Sequence, residues 1–339
     1  MELGIYTFGD LVADPHTGRT VSGQERMWQM LELAKLADQA GLDVIGVGEH
    51  HGIAFVNSAT ATTIAAMGAI THRIRLTSAS TLLGTADPVR TYQEFATADL
   101  ISGGRVELIF GRGAFTESFP LFGYALEDYD ALFEEKLELF DLLNTQPRVT
   151  WSGQFRPALH GAEIAPRAVQ DTLPTWIGAG SGPSITRAAR RGYPLALPVL
   201  GGSIPQYREG ARLYHSQRSE AGLSPGGGKI AVYAHLHVTE SSRQAREDFF
   251  PYYAAYLEPI FKHRMQPSTF EQMLSPTGTF VGGSPNEVID KILALHEATG
   301  NQRFVGQIDI AGQPFTHIAR GLELFATQVA PAVRKAVSA

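Results

Sequence analysis

Residues 87–113 read DPVRTYQEFATADLISGGRVELIFGRG, and this stretch contains one helix followed by one strand. Asp87 can accept the free N–H groups of a first helical turn, and Pro88 suits the first helical position. The apolar run VELIF predicts a buried strand. The strand leads into Gly-Arg-Gly at 111–113, where glycines permit close backbone approach and arginine can bind a phosphate or carboxylate. The same tripeptide also suits a surface turn with a solvated arginine.

Strand-like and helix-like segments alternate on both sides of this unit. The eight strand-like segments cover residues 3–8, 43–50, 74–81, 105–113, 174–182, 194–199, 230–238 and 303–310. Such alternation requires a parallel sheet, and eight units favour a closed (β/α)8 barrel over a doubly wound open sheet. We therefore expect an α/β protein with the (β/α)8 TIM-barrel fold, in which residues 1–339 form a single domain.

The alternation breaks twice. Residues 144–173 are rich in proline and glycine and include a possible short hairpin at 149–155, and residues 257–280 read as irregular. We expect both stretches to be insertions at the C-terminal face of the barrel, beside its mouth. Capping boxes at Ser22 with Glu25 and at residues 284–287 predict the starts of two of the surrounding helices.

Composition and charge restrict the possible functions. The 339 residues include 44 % apolar and 18 % charged side chains, which allows a large buried core. The net charge of −6 and the lack of a basic run favour neither nucleic acid nor an anionic membrane as a partner. The chain has no cysteine, which excludes disulfides, thiolate metal sites and cysteine nucleophiles. With no signal-like or membrane-spanning run, we expect a cytoplasmic protein.

Glu49-His50-His51 follows the second predicted strand, and barrel enzymes place their chemistry at such strand ends. Neighbouring residues of a strand point to opposite faces, so the two histidines cannot easily share a metal ion. One imidazole can instead face the barrel mouth as an acid–base or hydrogen-bonding group. The alternative is that backbone carbonyls satisfy both histidines.

Residues 178–184, GAGSGPS, follow the fifth strand and open a helix. Free N–H groups and the helix dipole make this a natural phosphate seat, in which Ser181 could cap the helix and bind phosphate. The loop matches neither GxGxxG nor a P-loop, and no acidic residue follows at the spacing of a dinucleotide site. A mononucleotide or sugar phosphate therefore fits better than a dinucleotide, and a plain glycine-rich turn remains the alternative.

Two further strand ends carry candidate residues. The small residues TSAST at 77–81 either admit a flat ligand or fit a tapering barrel. His235 and His237 share one face of the seventh strand, whereas metal-dependent hydrolase barrels carry an HxH pair on the first strand. We expect one pocket histidine and one structural histidine.

Together, these motifs resemble the bacterial luciferase-like, flavin-dependent monooxygenase family, from LGIYTF to LELFATQV. The ordered motifs are GLDVIGVGEHH, RIRLTSAS, the block at 87–113, PTWIGAGSGPS and FVGGSPNEV. The resemblance implies a (β/α)8 barrel that binds FMN and forms a homodimer. Gly52 replaces an aromatic residue of luciferase, and Gly180 replaces an acidic one, so the chain resembles the family's uncharacterised FMN-dependent branches more than luciferase itself.

The resemblance also implies roles by position. It makes His50 the catalytic acid–base residue, Ala79-Ser80 a cis peptide against the flavin ring, and Arg112 a flavin contact. The implied cofactor-binding residues are Glu49, Ala79, Ser80, Arg112, Gly180, Ser181, Gly182 and Ser184. The implied substrate-pocket residues are Phe8, His51 and His235. No metal is implied.

The implied reaction inserts one oxygen atom from O2 into a small organic substrate through a C4a-peroxyflavin on FMN, which binds in its reduced form as a cosubstrate. Since the chain has no dinucleotide fingerprint, we expect a separate NAD(P)H-dependent flavin reductase to supply reduced FMN. The nearest alternative is a deazaflavin-dependent oxidoreductase that transfers hydride. Less favoured are a metal-dependent hydrolase using His50 or His51 with His235 and His237, and a protein that stores or senses FMN.

Overall fold

The computed structural model describes residues 1–113 and 115–338, and its centre is a closed barrel of eight parallel strands. The strands are β1 (Glu2–Thr7), β2 (Val44–Val47), β3 (Arg75–Ser78), β4 (Thr81–Leu82), β5 (Val106–Gly111), β6 (Arg148–Trp151), β7 (Leu159–Glu163), β8 (Thr175–Gly178), β9 (Leu195–Val199), β10 (Ile230–Val238), β11 (Val281–Gly283) and β12 (Arg303–Gln307). The barrel order is β1, β2, β3, β5, β8, β9, β10 and β12, and β12 pairs with β1 to close the ring. The predicted (β/α)8 fold is confirmed.

Helices follow the barrel strands and cover their outer surface. They are α1 (Gly23–Gln39), α2 (Thr60–Ile70), α3 (Pro88–Ser102), α4 (Ser118–Phe122), α5 (Tyr129–Thr145), α6 (Gly182–Arg190), α7 (Ile204–Glu220), α8 (Ser242–Glu247), α9 (Phe250–Phe261), α10 (Pro267–Leu274), α11 (Pro285–Thr299), α12 (Phe315–Leu324) and α13 (Ala330–Val337). A π-helical turn over Phe325–Val329 joins the last two. None of the described helices is long and apolar enough to cross a bilayer.

Local sequence signals set several helix ends. The Asp87 carboxylate accepts a hydrogen bond from the Arg90 N–H at 3.0 Å at the start of α3. Gly103 ends that helix with φ of 70°, a conformation that costs glycine little. Ser284 and Glu287 form the predicted capping box of α11. These caps fix where each helix begins, so the loop before it reaches the barrel mouth in a defined position.

The two predicted insertions contain more regular structure than expected. Residues 144–173 hold an antiparallel hairpin of β6 and β7, whose second strand begins after the predicted 149–155. The prediction that 257–280 is irregular is wrong, because α10 lies within it. Phe270 and Leu274 bury the apolar side of α10 in an aromatic cluster with α9, which stabilises this short helix.

A buried ion network fills the N-terminal end of the barrel. Arg303 of β12 binds both carboxylate oxygens of Glu107 on β5, at 2.6 and 3.2 Å, and binds Glu2 at 2.6 Å. Arg75 forms a further ion pair with Glu107, with 3.2 Å between Nη1 and Oε1 and no hydrogen bond. Strands β5 and β12 are opposite each other in the ring, so the network crosses the whole barrel. The Arg303 guanidinium also lies over the Trp176 ring.

Removal of Arg303 should destabilise the fold strongly. The Arg303→Leu variant leaves Glu107 buried with a weaker partner, which costs about 3–5 kcal/mol of unfolding free energy. Urea unfolding of the wild type and the variant measures this loss. The matched control is Arg243→Leu, which removes an exposed helical ion pair and should change stability little. Equal stability of the two variants would show that the network does not support the barrel.

Candidate active site

The C-terminal ends of the barrel strands surround a cavity of about 580 Å³. Its lining residues are Tyr6, Phe8, Glu49, His50, Ala79, Ser80, Leu82, Ile109, Gly111, Arg112, Gly113, Phe115, Glu117, Tyr129, Gly178, Ala179, Gly180, Ser181, Ser184, Ala196, Pro198, Leu200, Tyr233, His235, Tyr256 and Leu257. Of the twelve site residues predicted from the sequence, Gly182 and His51 lie outside this lining. The cavity has a polar end beside α6 and a predominantly aromatic remainder.

The polar end is built around the start of α6. Arg112 donates a hydrogen bond to the Ser184 hydroxyl at 2.7 Å, and the hydroxyls of Ser184 and Ser181 are 2.8 Å apart. Ser181 is the N-cap residue, but its side chain bonds to Ser184 rather than to the helix backbone, so the predicted capping bond is absent. An arginine, two hydroxyls and a helix N-terminus together form a site for an anion.

Asp130 holds the arginine of this end in place. Its carboxylate forms ion pairs with Arg112 and with Arg187, the latter at 3.1 Å. The Arg112 guanidinium also lies over the Tyr129 ring, 4.8 Å from its centroid. The side chain of Asp130 is 64 % exposed, so water screens its charge and Arg112 keeps the capacity to bind an anion on its inner side.

The strand end at 79–80 lies beside this polar end. The Ala79–Ser80 peptide bond is cis, as the resemblance implied. Gly111 faces it closely, since a Cβ at that position would lie 2.1 Å from the Ser80 hydroxyl. Gly180 is less confined, because its Cβ would be 3.3 Å from the Pro198 ring. Because these glycines have no side chains, the cavity has a flat wall here, and larger residues would occupy the space in front of it.

His50 lies at the aromatic end. Its imidazole stacks on the Phe55 ring, with 4.1 Å between the ring centroids. It also makes T-shaped contacts with Phe8 and Phe115, at centroid distances of 4.7 and 5.1 Å. Burial, with a smaller effect of the neighbouring His51, lowers the pKa of His50 to about 4. His50 is therefore neutral at pH 7 and is able to accept a proton.

His51 lies outside the cavity lining, although the resemblance implied a place in the substrate pocket. Its Nε2 atom is 2.9 Å from Glu49, and its ring meets the edge of Phe122. Glu49 in turn accepts the Leu82 N–H at 3.0 Å with its other oxygen. Glu49 and His50 both line the cavity, so simple strand alternation does not hold in this irregular segment, and the bond to Glu49 and the contact with Phe122 fix the position of His51. Its hydrogen bond holds the Glu49 carboxylate, which lines the cavity.

His235 and His237 are separated by their surroundings. His235 lines the cavity and bonds through Nδ1 to the Tyr253 hydroxyl at 2.7 Å, and burial lowers its pKa to about 4. His237 stacks on Phe249 at 3.8 Å and lines a separate, smaller cavity of about 130 Å³. One histidine thus faces the main cavity, as expected, and the other packs in the aromatic cluster.

A buried pair of carboxyl groups lies behind the β1 side of the cavity. Arg26 pairs with Asp309 at 2.6 Å, and Asp10 accepts the Ala311 N–H at 2.9 Å. Both carboxyls keep one buried oxygen without a hydrogen-bond partner in the described part of the chain. With one arginine for two carboxyls, burial first and Asp309 second raise the pKa of Asp10 to about 8. Asp10 is therefore mainly neutral at pH 7.

Several residues of this site were not predicted from the sequence. Phe55, Phe115 and Glu117 surround His50, with Glu117 Oε1 4.0 Å from His50 Nδ1. The side-chain amide of Asn57, which is almost fully buried, donates to the Gly48 carbonyl at 2.7 Å, and the backbone carbonyl of Asn57 accepts the His50 N–H at 3.0 Å. None of these residues lies in a recognisable motif. Asn57 lies between Val56 and the polar Ser58, so the sequence pattern gives no signal for it either.

The residues present fit a flavin mononucleotide. The cavity joins an anion seat to a flat wall and an aromatic end, and FMN joins a phosphate to a planar ring system. The seat residues Arg112, Ser181 and Ser184 match a phosphate by charge and hydrogen-bonding capacity. In residues 1–113 and 115–338, no group of three or more His, Asp or Glu side chains is placed to hold a metal ion.

Comparisons with known proteins agree with this geometry. The sequence pattern of luciferase-like monooxygenases matches residues 1–302. The oxygenase component of a flavin-dependent trigonelline monooxygenase from Acinetobacter baylyi is 22 % identical, and the alignment covers 98 % of this chain and 95 % of that protein.

Two solved structures share the fold. The oxygenating component of 3,6-diketocamphane monooxygenase from Pseudomonas putida, solved with FMN, has a TM-score of 0.80 at 20 % identity and covers 98 % of each chain. The coenzyme F420-dependent tetrahydromethanopterin reductase from Methanopyrus kandleri has a TM-score of 0.74 at 19 % identity, over 97 % of this chain and 98 % of that one. At these identities the likeness is one of fold alone.

Replacement of Asp10 should change how stability depends on pH. The folded state keeps a proton on Asp10 up to about pH 8, whereas an unfolded aspartate loses it near pH 4. Unfolding free energy of the wild type therefore falls as pH rises through this window. Asp10→Asn lacks this dependence, so its stability relative to the wild type should increase from pH 5 to pH 8 in urea unfolding. The exposed Asp171→Asn should show no such trend, and a flat Asp10→Asn difference would show that Asp10 is charged in the fold.

Proposed function

The chain belongs to the luciferase-like monooxygenase family, and on that premise we propose that it is an FMN-dependent monooxygenase that inserts one oxygen atom from O2 into a small organic substrate. The observation that carries the proposal is one cavity with an anion seat at Arg112 and Ser184 and a neutral, buried His50 at its aromatic end. The bound reduced flavin would supply the electrons and the reaction with O2.

The protein's own residues would bind and orient the flavin. Arg112, Ser181 and Ser184 would hold the phosphate, together with the free N–H groups at the start of α6. The cis peptide at 79–80 and the close glycine at 111 would form the surface that the ring system approaches. Glu49, fixed by His51 and by the Leu82 N–H, lies beside this surface.

His50 would take a proton from the substrate. Its imidazole is neutral at pH 7, so its unprotonated nitrogen can accept a proton from a substrate hydroxyl or acidic C–H. The rings of Phe8, Phe55 and Phe115 hold it in place and exclude water from it. Exclusion of water also limits competing reactions at a reactive cofactor.

The proposal includes two partners. Reduced FMN would come from a separate NAD(P)H-dependent reductase, since a dinucleotide fingerprint was not found in the sequence. A second copy of the chain would pack on α2 and α3. Helix α2 carries no charged residue, and Leu100 and Ile101 on the adjacent α3 are 48 and 49 % exposed. An exposed apolar face of this kind favours association.

A deazaflavin-dependent hydride transfer is the second candidate, because the F420-dependent reductase of Methanopyrus kandleri has the same fold. Coenzyme F420 is a deazaflavin that also carries phosphate, so the seat at Arg112 suits both cofactors. A protein that merely stores FMN would need the seat but not His50. Binding of FMN and F420 to the purified protein distinguishes the monooxygenase from the deazaflavin-dependent enzyme. A His50 variant distinguishes both enzymes from a protein that stores FMN.

The phosphate seat predicts a specific binding defect. Arg112→Met removes the charged hydrogen-bond donor and should weaken FMN binding about 10- to 100-fold. Riboflavin, which lacks the phosphate, should bind both proteins equally. Fluorescence quenching of each flavin measures this.

Arg187→Met is the matched control for the seat, because Arg187 shares Asp130 with Arg112 but does not line the cavity. It should bind FMN nearly as the wild type does. Equal loss of FMN and riboflavin by Arg112→Met would contradict the assignment of the phosphate to this end.

His50→Asn removes the proposed proton acceptor and should lower the rate of substrate oxygenation by about 10²- to 10⁴-fold. FMN binding should stay within a few-fold of the wild type. The wild-type rate constant should also remain level between pH 8 and pH 6, because His50 is unprotonated there. A substrate screen with photoreduced FMN and product detection by mass spectrometry provides the assay. A rate that falls with an apparent pKa near 6.5 would contradict a neutral buried base.

A substitution on the exposed face of α3 tests the proposed homodimer. Ile101→Glu places a charge in the exposed apolar face and should shift the protein from dimer to monomer in light scattering coupled to size exclusion. Leu121→Glu is the control, since Leu121 is 61 % exposed but lies on α4. A wild type that is monomeric at micromolar concentration would contradict the dimer.

A further inference from the structure

We propose that the aromatic end of the cavity prefers positively charged aromatic molecules over neutral ones and rejects carboxylates, and that Glu117 sets this preference. The inference rests on the proposed function, since it concerns the substrate that would lie beside the bound flavin. It follows from which charges line the cavity and which of them already have partners.

Positive charge in the cavity lies at one end. Among the described lining residues, Arg112 is the one side chain with a permanent positive charge, and it pairs with Asp130 and Ser184 at the start of α6. Once a flavin phosphate binds there, this charge is compensated. A carboxylate of the substrate would then meet no other arginine or lysine in the described lining.

The two lining histidines do not supply positive charge either. Burial lowers the pKa of His50 to about 4, and burial also lowers the pKa of His235 to about 4. Both imidazoles are therefore neutral at pH 7 and can serve as hydrogen-bonding groups. Protonation of either imidazole beside a bound carboxylate is opposed by the same burial that keeps both imidazoles neutral.

Negative charge, in contrast, faces the aromatic end. Glu49 is engaged by His51 and the Leu82 N–H, but Glu117 has no ion pair with lysine or arginine in the described residues. The nearest basic atom is Nδ1 of the neutral His50, at 4.0 Å. The Glu117 side chain is one-third exposed (33 %), so it lines the cavity while keeping its charge in partial contact with water.

The remaining lining suits an aromatic molecule. Phe8, Phe115, Tyr233, Tyr256 and Leu257 present ring and alkyl surface. A cation is attracted by aromatic faces as well as by a carboxylate, whereas an anion is repelled by both. The combination of aromatic surface, neutral imidazoles and one unpaired carboxylate therefore selects by charge.

Three ligands of similar shape test the proposal: tyramine, 4-hydroxyphenylacetamide and 4-hydroxyphenylacetate, which are a cation, a neutral molecule and an anion at pH 7. Each is titrated by calorimetry into the wild-type protein loaded with FMN, at low ionic strength. Tyramine should bind about fivefold more tightly than the amide, the upper range for a partly exposed charge pair, and the acetate should bind most weakly. Added salt should narrow the difference between tyramine and the acetate.

Glu117→Gln should weaken tyramine and strengthen the acetate, each by about fivefold, with little change for the amide. The control is Glu127→Gln, which changes an exposed carboxylate outside the cavity lining and should leave all three affinities unchanged. Retention of FMN by each variant shows that it is folded, and the salt dependence of the wild type tests the charge preference without any variant.

Equal binding of tyramine and the acetate by the FMN-loaded wild type would overturn the charge preference, as would an unchanged ratio in Glu117→Gln. Absence of binding by all three would overturn the aromatic class of substrate. Failure of the wild type to bind FMN at all is a different result, because it overturns the proposed function itself.

Discussion

The pairing of β12 with β1 is the constraint on which the structure depends. Residues 303–307 pair in parallel with residues 2–6, so the last barrel strand satisfies the free edge of the first. Because the closed sheet is parallel, the C-terminal ends of all eight barrel strands meet at one side. Loops that are far apart in sequence therefore surround a single cavity: His50 follows β2, Arg112 follows β5 and Ser184 follows β8.

The two ends of this cavity favour different charge states. Near α6, the helix N-terminus and Arg112 favour negative charge, and exposed Asp130 keeps the arginine compensated when no anion is bound. Around His50, aromatic rings exclude water and disfavour the charged imidazole, so the pKa falls. One cavity thus combines an anion site with a neutral proton acceptor, which a uniformly polar or uniformly apolar pocket could not provide.

Local signals made much of this predictable. Strand and helix alternation, the helix starts and the motifs at 49–51 and 178–184 depend on residues close in sequence, and the fold followed from their number. The residues that contact these motifs in the folded protein could not be predicted in this way. Glu117 and Phe55 contact His50 through loop conformations, and α10 is stabilised by burial against α9 rather than by its own sequence pattern. The position of His51 also depended on which face of an irregular segment it occupies.

Charges elsewhere inside the barrel are compensated. At the N-terminal end, Arg303 and Arg75 meet Glu107 and Glu2. Behind the β1 side, the charge of Arg26 cancels that of Asp309, and Asp10 is mainly neutral because burial and Asp309 raise its pKa. These buried groups therefore contribute little net potential to the cavity. A ligand therefore responds chiefly to the charges of the lining, Arg112, Glu49 and Glu117, and of the two carboxylates Glu117 has the fewer hydrogen-bond partners.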